Sequence, residues 1–138
     1  MAKIPLVISP SQQDSNPTVV KEAPRESDLT RLVANALYEI LKHDDRLDVV
    51  VVPDFEEGTD IQKLDKAIQF SNKYISERNE GGRIAGYHLE LHSDGGYKGS
   101  GATGLYLSDN GYNFGKPVFD QVCALTPWQD MAIRKVNN

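Results

Sequence analysis

Leu47–Val52 runs Leu-Asp-Val-Val-Val-Val, and its four consecutive valines constrain the fold more than any other segment. β-branched side chains favour extended backbone. A strand that is apolar on both faces has no side to give to water, so it needs cover above and below. Such a strand belongs in the middle of a parallel sheet with a helical layer on each side. Ile4–Ile8 is a second short apolar run, ended by Ser9-Pro10, and suits a buried first strand.

The segments between carry helical spacing. From Glu26, residues Leu29, Leu32, Val33, Ala36, Leu37, Ile40 and Leu41 form one apolar face, closed by Asp45 and Arg46. Thr59 or Asp60 can cap a second helix with Ile61, Leu64, Ala67, Ile68, Ser71 and Ile75 turned inward, and Gly81-Gly82 ends it. Arg83–His92 then reads as a third strand, Ala102–Leu107 as a fourth, and Phe114–Leu125 as a third helix. Met131–Val136 is one further candidate strand. The order β-α-β-α-β-β-α predicts an α/β fold with a mostly parallel, twisted sheet and helices on both faces. A doubly wound domain would return with another strand and helix, and the pattern lacks them. Ser9–Pro24 is a long polar stretch with three prolines, the kind of loop that is functional or disordered.

With 138 residues the chain is long enough for a single domain over 1–138 and has little room for a second. Its net charge of -5 argues against a nucleic-acid partner, which would require a basic patch, and against an anionic membrane surface. A polysaccharide or peptide partner is compatible with that charge. No stretch approaches transmembrane length, and Ile4–Ile8 is too short for a signal peptide core. The chain therefore reads as cytoplasmic as encoded, reaching an external target only if released or exported. A lone cysteine, Cys123, excludes an internal disulfide and a Cys-rich zinc site. It falls in the third helix as a buried structural thiol; the nucleophile alternative lacks a neighbouring histidine.

Tyr87–Gly96 concentrates the chemistry. His88, Glu90 and His92 alternate, so a strand would line them on one face before an Asp- and Gly-rich loop. Imidazole and carboxylate are common ligands of a divalent metal. One straight strand cannot supply the whole site, because His88 and His92 would stand roughly 13 Å apart at ~3.3 Å per residue. Glu90 is nearer to His92 but would need a bulge or a bridging water. Parallel strands converge at their carboxyl ends with the helix N-termini beside them, which brings in the Ser9–Gln13 loop and Glu26. A glutamate at a helix start is also favoured by the helix dipole alone. Gly99-x-Gly101-x-x-Gly104 spells the dinucleotide pattern but opens a strand rather than a helix, so no nucleotide site follows.

Ser9-Pro10-Ser11-Gln12, then Glu26, then Glu90-Leu91-His92-Ser93-Asp94 resembles the zinc-dependent N-acetylmuramoyl-L-alanine amidases, the type 3 cell-wall hydrolases of bacteria and phages. In that family a first strand runs into Asp-Pro-Gly-His-Gly, a Glu opens the next helix, and a later strand ends in Ser-Ile-His-x-Asn. Asn72 matches an Ala-Asn in the second helix, and Gly99–Tyr106 is similar to the strand after the metal histidine. Gln12 stands where the family has its first ligand histidine, and Gln13 matches the Gln of a Ser-Pro-Ser-x-Gln subgroup. The resemblance implies a peptidoglycan or muropeptide substrate. It further implies a Zn2+ held by Glu26 and His92 with Gln12 or Gln13, and cleavage of the muramoyl–L-alanine amide by a zinc-activated water. His88, Asn72 and Asp94 would support the ligands. The family's catalytic Glu lies on a strand that this sequence does not show, so the chain resembles the N-terminal two-thirds of the domain. Glu90, where the family has Ser, is the candidate substitute base. Two alternatives remain open. One is an inactive amidase-like protein that binds muropeptide or a protein partner. The other is an incomplete fragment, soluble but inactive, whose exposed sheet edge would drive homo-oligomerisation.

Overall fold

The computed structural model describes residues 2–14, 25–79, 85–93, 101–126 and 129–136. They fall into two compact units, 1–96 and 97–138.

The first unit is built on three parallel strands: β1 (Ile4–Pro10), β2 (Leu47–Val51) and β3 (Tyr87–Leu91), in the order β2-β1-β3. Helices α1 (Glu26–Leu41) and α2 (Asp60–Arg78) make the crossovers. The chain steps from β1 to β2, then back across β1 to β3. Right-handed crossovers in opposite directions put their helices on opposite faces. Alternation along β1 agrees. Val7 packs with Val52 and Ala67 of α2, with Phe55, Phe70, Tyr74 and Ile75 around them, which leaves Leu6 and Ile8 for the face under α1.

The valine strand is not the central one. β1 holds the middle position, pairing Leu6 with Val49 on one side and with Tyr87 on the other. It is buried from Pro5 to Pro10, whereas β2 is only half-buried. An apolar run reports cover on two faces rather than strand neighbours on two sides, and among the described residues β2 pairs only with β1.

Both helices turn a different line of residues inward from the one their large apolar side chains suggest. In α1 the buried positions are Glu26, Ser27, Thr30 and Ala34, while Leu32 and Ile40 are 66% and 70% exposed. In α2 they are Lys63 with the expected Ala67 and Ser71, and Ile75 packs on the core as expected, but Ile61 and Ile68 are exposed. Residues four apart share one line of a helix. Small or flexible side chains on that line let the helix lie close to β1, and the bulky aliphatics fall to its flanks. Thr59 caps α2 in a reciprocal box: its hydroxyl accepts from Gln62 N at 3.3 Å, and Gln62 Oε1 accepts from Thr59 N at 2.9 Å. At the other end of α2, Asp48 of β2 takes the Tyr74 hydroxyl at 2.8 Å and pairs with Arg78, whose guanidinium lies over the Tyr74 ring.

The second unit is a single β-α-β crossover: β4 (Gly101–Tyr106), α3 (Asp109–Leu125) and β5 (Gln129–Lys135), with β4 and β5 parallel. α3 starts five residues before the Phe114 that apolar spacing picks out, because Ser108 caps it by accepting from Gly111 N at 3.1 Å. β5 turns the candidate strand into an element of the fold. Gly104 permits close packing here, since a Cβ would meet Ile133 Cγ1 at 3.0 Å and the ring of buried Phe119 at 3.4 Å. Cys123 is half-buried rather than buried, and is in no disulfide. Among the described residues, no helix is long and apolar enough to cross a membrane.

Candidate functional site

Strand order reverses between β1 and β3, and a crevice outside the carboxyl ends of two such strands is where open α/β sheets bind ligands. Pro10 pairs with Leu91 there, so Ser11 and His92 leave the sheet side by side.

Glu26 comes to this crevice from the first turn of α1 and is 2% exposed. Its Oε1 lies 2.9 Å from His92 Nδ1 and accepts from the Ser93 main-chain N–H at 3.2 Å. On the other side of the ring, His92 Nε2 lies 3.0 Å from Glu90 Oε1. Imidazole donates from both nitrogens only when protonated. Its bond to Glu90 is the largest influence on His92 and, with Glu26, raises the ring's pKa above the ordinary histidine value against the opposing effect of burial. Conversely, the His92 hydrogen bond holds the Glu90 carboxyl below its ordinary value.

Main-chain groups fix the loop after β1. Ser11 is fully buried, and its N–H donates to Thr30 Oγ1 at 3.1 Å, while Thr30 Oγ1 donates to the Glu26 carbonyl at 2.8 Å. Gln12 is buried with both ends of its carboxamide on main chain. Nε2 donates to the Pro10 and Pro53 carbonyls at 3.3 and 3.4 Å, and Oε1 accepts from Phe55 N at 3.4 Å. Gln13 is half-buried, with its main-chain N–H on Ser11 Oγ at 3.2 Å.

The structure thus brings Glu26, His92 and Glu90 together. His88 stays exposed on β3 opposite Val7, and Asn72 is on the exposed side of α2. Asp94 and its glycine-rich loop lie outside the described residues. Periodicity alone did not reveal Asp14, Ser27 and Lys63. Lys63 Nζ pairs with Asp14 Oδ2 at 2.5 Å, Ser27 Oγ donates to Asp14 Oδ1 at 2.8 Å, and the ammonium holds the Asp14 carboxyl below its usual range. The available signal was a lysine four residues before Ala67 and eight before Ser71, on the buried line of α2.

Among the described residues, no three His, Cys, Asp or Glu side chains form a group that could hold a metal ion. The reason is geometric: Glu26 and Glu90 sit at opposite nitrogens of one ring, so His92 can share an ion with only one of them.

No family profile and no curated protein sequence matches the chain. Among solved structures it is similar to the catalytic domain of CwlV, an N-acetylmuramoyl-L-alanine amidase from Bacillus (Paenibacillus) polymyxa var. colistinus. The match has a TM-score of 0.76 at 17% identity and covers 98% of this chain and 71% of that one. The chain has an amidase-like fold. Its parallel strands and crossover helices match that catalytic domain, in keeping with the α/β architecture expected from the order of elements.

Proposed function

We propose that this chain is a peptidoglycan amidase whose site is the Glu26–His92 pair at the β1–β3 crevice. The observation that carries the proposal is the meeting of a fully buried carboxylate and an imidazole nitrogen, 2.9 Å apart, at the end of β3 in an amidase-like fold. The donors fit zinc in type, since carboxylate oxygen and imidazole nitrogen are its common ligands. Glu26 and His92 Nδ1 would hold the ion. When bound, zinc supplies Lewis acidity to the scissile muramoyl–L-alanine carbonyl and lowers the pKa of water. Glu90 accepts from Nε2, which fixes the ring's orientation and leaves Nδ1 as the ligating nitrogen. That hydrogen bond makes Glu90 an orienting carboxylate before it is a base. Gln12 serves as a strut between the loops after β1 and β2, and Gln13 is the glutamine left to contribute a carboxamide oxygen.

One observation favours a second reading, an amidase-like protein that binds muropeptide without cutting it. The Gln12 amide, at the position where the resemblance would expect a ligand histidine, already engages Pro10, Pro53 and Phe55. Zinc-loaded protein incubated with purified peptidoglycan separates the two. New L-alanine amino termini support the hydrolase. Co-sedimentation with the wall and no new termini supports the binder.

A further inference from the structure

Lys63 occupies the first turn of α2 with its side chain only 8% exposed. This is a doubly unfavourable place for a cation. Burial strips water from the ammonium, and the N-terminal end of a helix already carries positive partial charge. Asp14, 49 residues away in sequence, answers it at 2.5 Å. The same carboxylate accepts from Ser27 Oγ through its other oxygen. Ser27 is buried and adjoins Glu26, whose own main-chain carbonyl is held by Thr30 and, through it, by Ser11 N.

We propose that Lys63 is a positioning residue for Glu26, acting through Asp14 and Ser27. The brace runs from α2, through the loop after β1, to the first turn of α1. It ties that turn to the face of the sheet opposite its own helix. Thr30 holds this turn from one side, through the Glu26 main-chain carbonyl. With Ser27 fixed to Asp14, and Asp14 to Lys63, the turn is clamped from both sides. Glu26 Oε1 then stays where His92 Nδ1 and Ser93 N meet it. The consequence for zinc rests on the metal reading given above, whereas the geometry of Glu26 against Ser93 does not.

The test uses both readouts on the full chain. In metal-free protein, the Ser93 amide resonance in a 15N–1H NMR spectrum reports the bond to Glu26 directly. Lys63→Met should move that resonance and weaken zinc binding by up to about tenfold, the low end of the range for groups that hydrogen-bond a ligand directly, because Lys63 acts through two intermediates. Lys63→Arg, which keeps the cation, should return both toward wild type. A folded Lys63→Met protein with wild-type Ser93 resonance and wild-type zinc affinity would overturn the proposal. Should that variant fail to fold, Asp14→Asn makes the same test at a side chain that is 41% exposed. An unmoved Ser93 resonance there counts equally against the brace. A wild-type chain that takes up no zinc sinks the metal reading alone, and the Ser93 resonance still decides this one.

Discussion

Glu26 Oε1 and His92 Nδ1 lie 2.9 Å apart across 66 residues of chain, one at the start of α1 and the other just past β3. The sheet order sets that distance. β1 and β3 are neighbours, so the turn that follows β1 and the residue that follows β3 open into one crevice. Glu90 then closes on the far nitrogen of the same ring.

Removing that second carboxylate should loosen the ring. Glu90→Ala is expected to lower zinc affinity by roughly 10- to 100-fold, the range for groups that orient a ligating histidine. Calorimetric titration of metal-free protein measures it. Unchanged affinity would mean that Glu90 does not hold His92 in the metal-bound state.

Gln12→Ala distinguishes a strut from a ligand. The substitution strands Phe55 N and two carbonyls that the carboxamide now serves. Leaving such groups without partners costs about 1–3 kcal/mol, measurable as a shift in urea midpoint. Zinc stoichiometry should stay at the wild-type value. Lost zinc with undiminished stability would instead make Gln12 a ligand.

Gly86 is a packing constraint just before β3. A Cβ there would stand 2.5 Å from Ile75 Cγ2 and 2.9 Å from Ile75 Cγ1. Gly86→Ala should therefore destabilise the first unit by about 1–3 kcal/mol, the cost of overpacking. Thermal unfolding tests it, and paired Gly86→Ala with Ile75→Ala should regain part of the loss.

Alkaline stability should depend on Tyr74. Burial foremost, helped by the Asp48 hydrogen bond, pushes its pKa up from 10.0 to about 12. A phenol whose folded pKa lies above its unfolded one favours folding fully below pH 10. That contribution disappears as pH rises toward about 12, because the unfolded chain ionises first. Urea midpoints should fall across this interval in wild type and fall less in Tyr74→Phe. Identical slopes would remove Tyr74 from the linkage.

Much of this was legible in the sequence. Apolar runs located β1 and β2, Thr59 or Asp60 marked the start of α2, which Thr59 caps, and alternation put His88 and Glu90 on one face of β3 with His92 just past its end. Helical spacing found Ala67, Ser71 and Ile75 on the inner face of α2, but it could not decide which stripe of α1 meets the sheet. Leu32 and Ile40 outweigh Thr30 and Ala34 in hydrophobicity, yet the close approach to β1 selects the smaller pair. Nor could it place long-range polar partners. Nothing local in Gln12 foretells that its amide meets Phe55, or in Lys63 that its ammonium meets Asp14. Those contacts depend on how two loops and two helices meet above β1, which belongs to tertiary structure.

The most direct test is zinc content after equilibration of metal-free protein with a slight excess of zinc, followed by desalting. One zinc per chain in wild type, lost in both His92→Ala and Glu26→Ala, is the expected result. Wild-type protein that retains no zinc, or variants that retain it fully, would contradict the assignment of this pair as the metal site.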